Sequence, residues 1–107
     1  MIVEYHPAVE QELKEARTFY ENRSSGLGEQ FIDEFEHQAL RIAEAPGRWA
    51  ILTRDIRRSL MRRFPYVIYF RQPSAGLLRI TVVKHQRRHP VYGLGVSSKD
   101  DLKPTCR

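Results

Sequence analysis

The chain uses two hydrophobic periods in succession, and the changeover falls near residue 57. Met1 to Tyr5 (MIVEY) is a short, β-branched apolar run that predicts a strand. Pro7 suits the first turn of a helix, where its missing N–H costs nothing. Val9, Leu13, Ala16 and Tyr20 then recur at steps of three and four, giving one apolar helix face. Glu10, Glu12, Lys14, Glu15 and Arg17 fall mostly on the other face. Ser24-Ser25-Gly26-Leu27-Gly28 interrupts the pattern and reads as a connection. A second helix gathers Phe31, Ile32, Phe35, Ala39, Ile42 and Ala43 on one side, and Ala45-Pro46-Gly47 ends it. Two helices so closely joined predict an antiparallel hairpin, with Phe31 and Phe35 in the core.

Residues 47–56 (GRWAILTRDI) carry neither period. Trp49 there either anchors a loop against the core or offers a surface to a partner. From Arg57 the period is two: Arg58, Leu60 and Arg62 share one strand face, and Ser59, Met61 and Arg63 the other. Phe64-Pro65 reverses the chain into a strand at Tyr66–Phe70, and the turn at Pro73–Gly76 leads to a last strand at Leu77–Val83. These pieces predict an α+β fold: an N-terminal strand, a helical hairpin, then a three-stranded antiparallel meander, all in one twisted sheet packed on the helices. Residues 1–92 form a single domain in this reading, and 93–107 form a polar, weakly ordered tail.

A length of 107 residues suits one domain with a modest core. No apolar run approaches the ~20 residues that span a bilayer. Acidic residues interrupt the first 20 positions, so no signal peptide is expected there and a cytoplasmic location follows by default. The one cysteine, Cys106, is expected to be a bystander.

Charge changes the picture more than composition does. Residues 1–50 hold five Lys/Arg against ten Asp/Glu, whereas residues 51–107 hold thirteen against three. The basic half is mostly arginine, the cation suited to bidentate binding of phosphate or carboxylate. Such a half-molecule implies a polyanionic partner, either nucleic acid or an acidic protein segment.

Metal-free RNA cleavage needs a proton acceptor, a proton donor and fixed positive charge on the scissile phosphate. Arg58, Arg62 and Arg87 are candidate phosphate clamps, and His85 and Tyr92 are candidate proton-transfer groups. Histidine titrates near neutrality, whereas tyrosine would need its pKa lowered by nearby cations. Tyrosines also stack on unpaired bases. His85 and His89 are four apart, a spacing that brings ligands together on a helix, and Pro90 opposes one. No metal or other cofactor is expected, and Gly-rich phosphate loops and Ser/Cys nucleophile motifs are absent.

Several phrases combine into a resemblance. Ala8-x4-Leu13, Phe31, Ile42-x3-Pro46, Arg57-Arg58, Phe64-Pro65-Tyr66-Val67-Ile68-Tyr69 and the exit Val83-Lys84-His85-Gln86-Arg87-Arg88-x-Pro90-x-Tyr92 occur in that order. The chain resembles, over about residues 1–92, the RelE/ParE superfamily of toxins from bacterial type II toxin–antitoxin (plasmid stabilisation) modules. The resemblance implies a growth-arresting toxin in a hetero-oligomer with a cognate antitoxin, whose acidic segment wraps the sheet and hairpin. RelE-like members cleave mRNA on the ribosome as metal-independent endoribonucleases; ParE-like members inhibit DNA gyrase without nuclease activity. Arg58 falls where cleaving relatives place a sheet lysine, and Arg87 and Tyr92 fall near their C-terminal arginine and tyrosine. Val67 stands where many cleaving relatives carry an arginine, Leu60 replaces a second sheet cation, and Gly93 replaces a frequent aromatic. Cleavage, gyrase inhibition and a degenerate basic binding module all remain open on these residues.

Overall fold

The computed structural model describes residues 1–86. Strand β1 (Ile2–Tyr5) leads into α1 (Pro7–Arg23), where Pro7 opens the first turn and His6 Nδ1 accepts from Ala8 N at 3.0 Å. The connection to α2 (Leu27–Glu44) is only Ser24–Gly26, shorter than the glycine-rich run implies. Gly26 supplies the positive φ of 87°. Gly28 already lies inside α2, because a Cβ there would meet Arg17 O at 2.6 Å. The two helices therefore touch backbone to backbone at the head of the hairpin.

A 3₁₀ turn (Pro46–Arg48) closes α2. Four further strands follow: β2 (Ile51–Thr53), β3 (Ile56–Leu60), β4 (Tyr66–Ser74) and β5 (Leu77–His85). The sheet is five-stranded and mixed, in the order β1-β5-β4-β3-β2. The antiparallel meander is present as β3-β4-β5, but it is not the whole sheet. β1 adds in parallel along β5, because the helical hairpin carries the chain across before it returns. β2 is an extra strand, hidden from the periodicity by its three-residue length and by its turn. That turn places Arg54 at φ 55°, a position more often held by glycine or asparagine.

The core lies between the helices and one face of the sheet. Phe31, Ile42, Ile68, Phe70, Leu78 and Ile80 are fully buried. Tyr20, Phe31, Phe64 and Tyr66 form an aromatic cluster, with Phe31 5.2 Å from Phe64 and 5.1 Å from Tyr66, centroid to centroid. Both anticipated phenylalanines, Phe31 and Phe35, are core.

Two local departures from regular strand geometry decide where the functional side chains go. β3 stops at Leu60, short of Arg63, because the Glu34 carboxylate on α2 accepts from Arg62 N at 2.6 Å and Arg63 N at 2.8 Å. Those two amides are thereby withdrawn from the ladder. In β5 the register jumps: Tyr69 pairs with Val82 but Phe70 pairs with Ile80, leaving Thr81 as an extra residue in a β-bulge.

Candidate functional site: an arginine cleft at the edge of the sheet

β2 pairs only with Ile56 and Arg57 of β3. Beyond them the chain before β2 veers away through Trp49, and the Arg57 guanidinium ties down the Trp49 carbonyl. Between the diverging segments an open cleft of about 420 Å³ forms, lined by Gln38, Arg41, Arg48, Trp49, Arg58, Leu60 and Arg62. Four arginines from four pieces of chain thus converge: Arg41 from α2, Arg48 from the 3₁₀ turn, Arg58 from β3 and Arg62 from the following bend.

Each is held by a different device. Gln38 is buried and bridges core to cleft: its Nε2 donates to Ser59 Oγ, and its Oε1 accepts from Arg41 Nη1 at 3.2 Å. The guanidiniums of Arg41 and Arg48 lie 6.0 and 5.4 Å from the Trp49 ring centroid. The indole in turn stands edge-on to Phe70, 6.1 Å away, so it does anchor its loop to the core. Arg62 is fixed through its backbone by Glu34. Arg58 is itself exposed and lies on the sheet face opposite the helices, paired in register with Tyr69. None of the four guanidiniums joins a salt bridge among the described residues, where the ion pairs are Arg17–Glu29, Arg71–Asp55 and Arg79–Glu4.

The structure brings Arg58 and Arg62 together and puts Arg58 and His85 on opposite faces of the sheet. Alternation from Leu78 and Ile80 through a regular strand would put Lys84 on the helix side and His85 beside Arg58. The bulge at Thr81 reverses this. His85 pairs with Tyr66 on the helix side, edge-on at 5.3 Å, whereas Lys84 lies on the Arg58 face with its ammonium 5.8 Å from the Tyr69 ring. A proton-transfer role for His85 on a phosphate held by Arg58 therefore has no geometric support. Arg87 and Tyr92 lie outside the described residues, as do His89 and Cys106.

Two tyrosines that the helices hold, Tyr20 and Tyr5, have their hydroxyl pKa raised. Burial is the first cause in both; Arg23 works against it at Tyr20, and Glu36 adds to it at Tyr5. Neither is poised to accept a proton at neutral pH. Among the described residues no group of His, Cys, Asp and Glu side chains is arranged to hold a metal, and no helix is long and apolar enough to cross a membrane.

The sequence signal for Arg58 and Arg62 was their strand period; Arg41 and Arg48 carried no such signal. Arg41 follows Gln38 by one helical turn, and Arg48 precedes the lone tryptophan. Those adjacencies are the pattern that identifies them.

The fold matches a solved chain described as the chromosomal ParDE TA system from P. aeruginosa, with a TM-score of 0.66 over 79% of this chain and 95% of that one, at 13% identity. No curated protein sequence matches significantly. The family model for the ParE toxin of the type II toxin–antitoxin system parDE matches residues 3–90. The chain belongs to this ParE toxin family: it is the toxin component of a type II toxin–antitoxin module, and a cognate antitoxin is its partner.

Proposed function

We propose that this toxin arrests growth by binding DNA gyrase and does not cut mRNA. The observation that carries the reading is the separation of Arg58 and His85 onto opposite faces of the sheet by the bulge at Thr81. Metal-free phosphodiester cleavage requires the proton acceptor and the cationic clamp to converge within hydrogen-bond reach of one phosphate. A binding surface carries no such demand, and four arginines at a sheet edge serve it directly. The antitoxin contributes an acidic segment over the sheet and hairpin, neutralising the cations the target would otherwise meet. Arg87 and Tyr92 are further proposed contacts.

The test is a translation extract and a supercoiling assay run in parallel with purified full-length protein. Loss of supercoiling activity with ribosome-bound mRNA left intact is the expected result; cleaved mRNA with normal supercoiling would overturn it. In cells, His85→Ala is expected to leave growth arrest unchanged, whereas Arg87→Ala and Tyr92→Phe are expected to relieve it.

A further inference from the structure

We propose that the Arg41–Arg48–Arg58–Arg62 cleft binds the phosphate backbone of single-stranded nucleic acid, a contact made by the toxin itself and independent of which cellular target it arrests. Three features on the page point to this ligand. The first is unspent charge: four guanidiniums line one cleft without a salt bridge to any described carboxylate. Elsewhere in the fold Arg17, Arg71 and Arg79 are each matched to a carboxylate, whereas these four gather in one concavity.

The second feature is pre-organisation. Arginine loses rotamer freedom when it binds, and a fork already fixed loses less. Arg41 is held by Gln38, which is itself anchored on the buried Ser59, and both Arg41 and Arg48 lie over the Trp49 indole. Planar guanidiniums are also surfaces on which unpaired bases stack.

The third feature is size and polarity. A volume of about 420 Å³ is of the order of one nucleotide and cannot receive a duplex, which needs a long continuous face. An acidic peptide would need apolar anchors as well as charge. The cleft offers only Leu60, 53% exposed, and an indole already covered by cations. Four of the seven lining residues are arginines, the residue type that contacts phosphate backbones.

The experiment is fluorescence anisotropy of full-length protein with a labelled twelve-nucleotide oligo-dT, titrated over a range of salt. The Arg41→Ala/Arg48→Ala double variant is expected to weaken binding at least ~10-fold and to flatten the salt dependence by about 1.4 in log–log slope, as loss of two single-strand phosphate contacts requires. Arg41→Lys/Arg48→Lys, which keeps charge but loses the planar fork, should fall between them and controls for a folding defect, alongside a far-UV melt. Arg71→Ala/Arg79→Ala removes equal charge elsewhere and should leave affinity within about twofold, the behaviour of exposed charges far from the contact. Equal losses in the two double-alanine variants would mean that only net charge matters, and would overturn the proposal. So would tighter binding of a labelled polyglutamate of equal charge, which would assign the cleft to an acidic protein segment. Because no gyrase or ribosome is present, failure here leaves the gyrase reading standing, and failure of that reading leaves this one standing.

Discussion

Arginines at two regions of the same sheet live under different rules. On β4 and β5, Arg71 and Arg79 face solvent but are matched across the sheet to Asp55 and Glu4 at 2.9 and 3.2 Å. At the β3 edge, Arg58 and Arg62 meet Arg41 and Arg48 with no such counter-charge. Exposed ion pairs contribute little to stability, so the matched set serves mainly to quiet the surface. Like charges gathered without partners cost free energy in the isolated protein, and a binding surface recovers that cost when its partner arrives. The difference teaches that charge count alone does not locate a functional surface; the count of unmatched charges in one concavity does.

The strongest test of this contrast is charge reversal in cells. Arg58→Glu/Arg62→Glu is expected to restore colony formation on induction to the uninduced level, whereas Arg71→Glu/Arg79→Glu should remain toxic. Plating efficiency at matched expression decides it, and equal rescue by both pairs would erase the distinction between the two regions. Next in size is Gln38→Ala, which strands the Ser59 hydroxyl and releases Arg41. It should cost about 1–3 kcal/mol by urea denaturation, the range for a buried polar partner lost, while also weakening oligonucleotide binding. Glu34→Ala removes two charge-assisted bonds to the amides of Arg62 and Arg63. It should cost about 1–2 kcal/mol, reduced from the buried value because the bonds are solvent-exposed. Smallest is Arg79→Ala, expected to change stability by under ~1 kcal/mol and toxicity not at all.

A pH profile sharpens the same comparison. The Arg71 side chain, by hydrogen bond first and charge second, holds the Asp55 carboxyl below its ordinary 3.8. A lowered folded pKa means the stabilisation is present above the unfolded value and is lost as pH falls through the folded one. The stability gap between Arg71→Ala and the parent should therefore be seen at neutral pH and close as pH falls below 3.8. Glu21 behaves likewise: the amides of Gly26 and Gly28 hold it below 4.5, so the helix connection should loosen in the same acid range. Thermal melts at a series of pH values measure both, and a gap that widens in acid would contradict the sign.

Much of the fold was legible because it rests on long periodic segments. The face of Val9 and Ala16 and the stripe of Phe31, Phe35, Ala39 and Ile42 are buried as their spacing implies. β2 was not legible: three residues cannot display a period, and its turn uses Arg54 where a glycine would have signalled a hairpin. The site was half legible. Arg58 and Arg62 stood out on a strand pattern, though Arg62 in fact sits in a bend that Glu34 creates from a helix 28 residues earlier. Arg41 carried no signal, because a cleft lined jointly by a helix, a turn and a strand leaves no mark in local spacing. The face that His85 takes was not legible, because alternation carries no record of a bulge.

That extra residue at Thr81 has a consequence beyond this one histidine. Past the bulge, pairing with β4 and not a count along β5 sets which side chains see the helices and which see the opposite face. Deleting Thr81 would remove the bulge and restore strict alternation, with Lys84 and His85 each keeping its partner and its face. A relative that lacks the extra residue would thus present the same halves of the exit phrase, although its spacing from Ile80 is one residue shorter. Functional roles in this family are therefore safely transferred by counting back from the paired strand, Tyr66 to Tyr69, not by aligning the phrase itself.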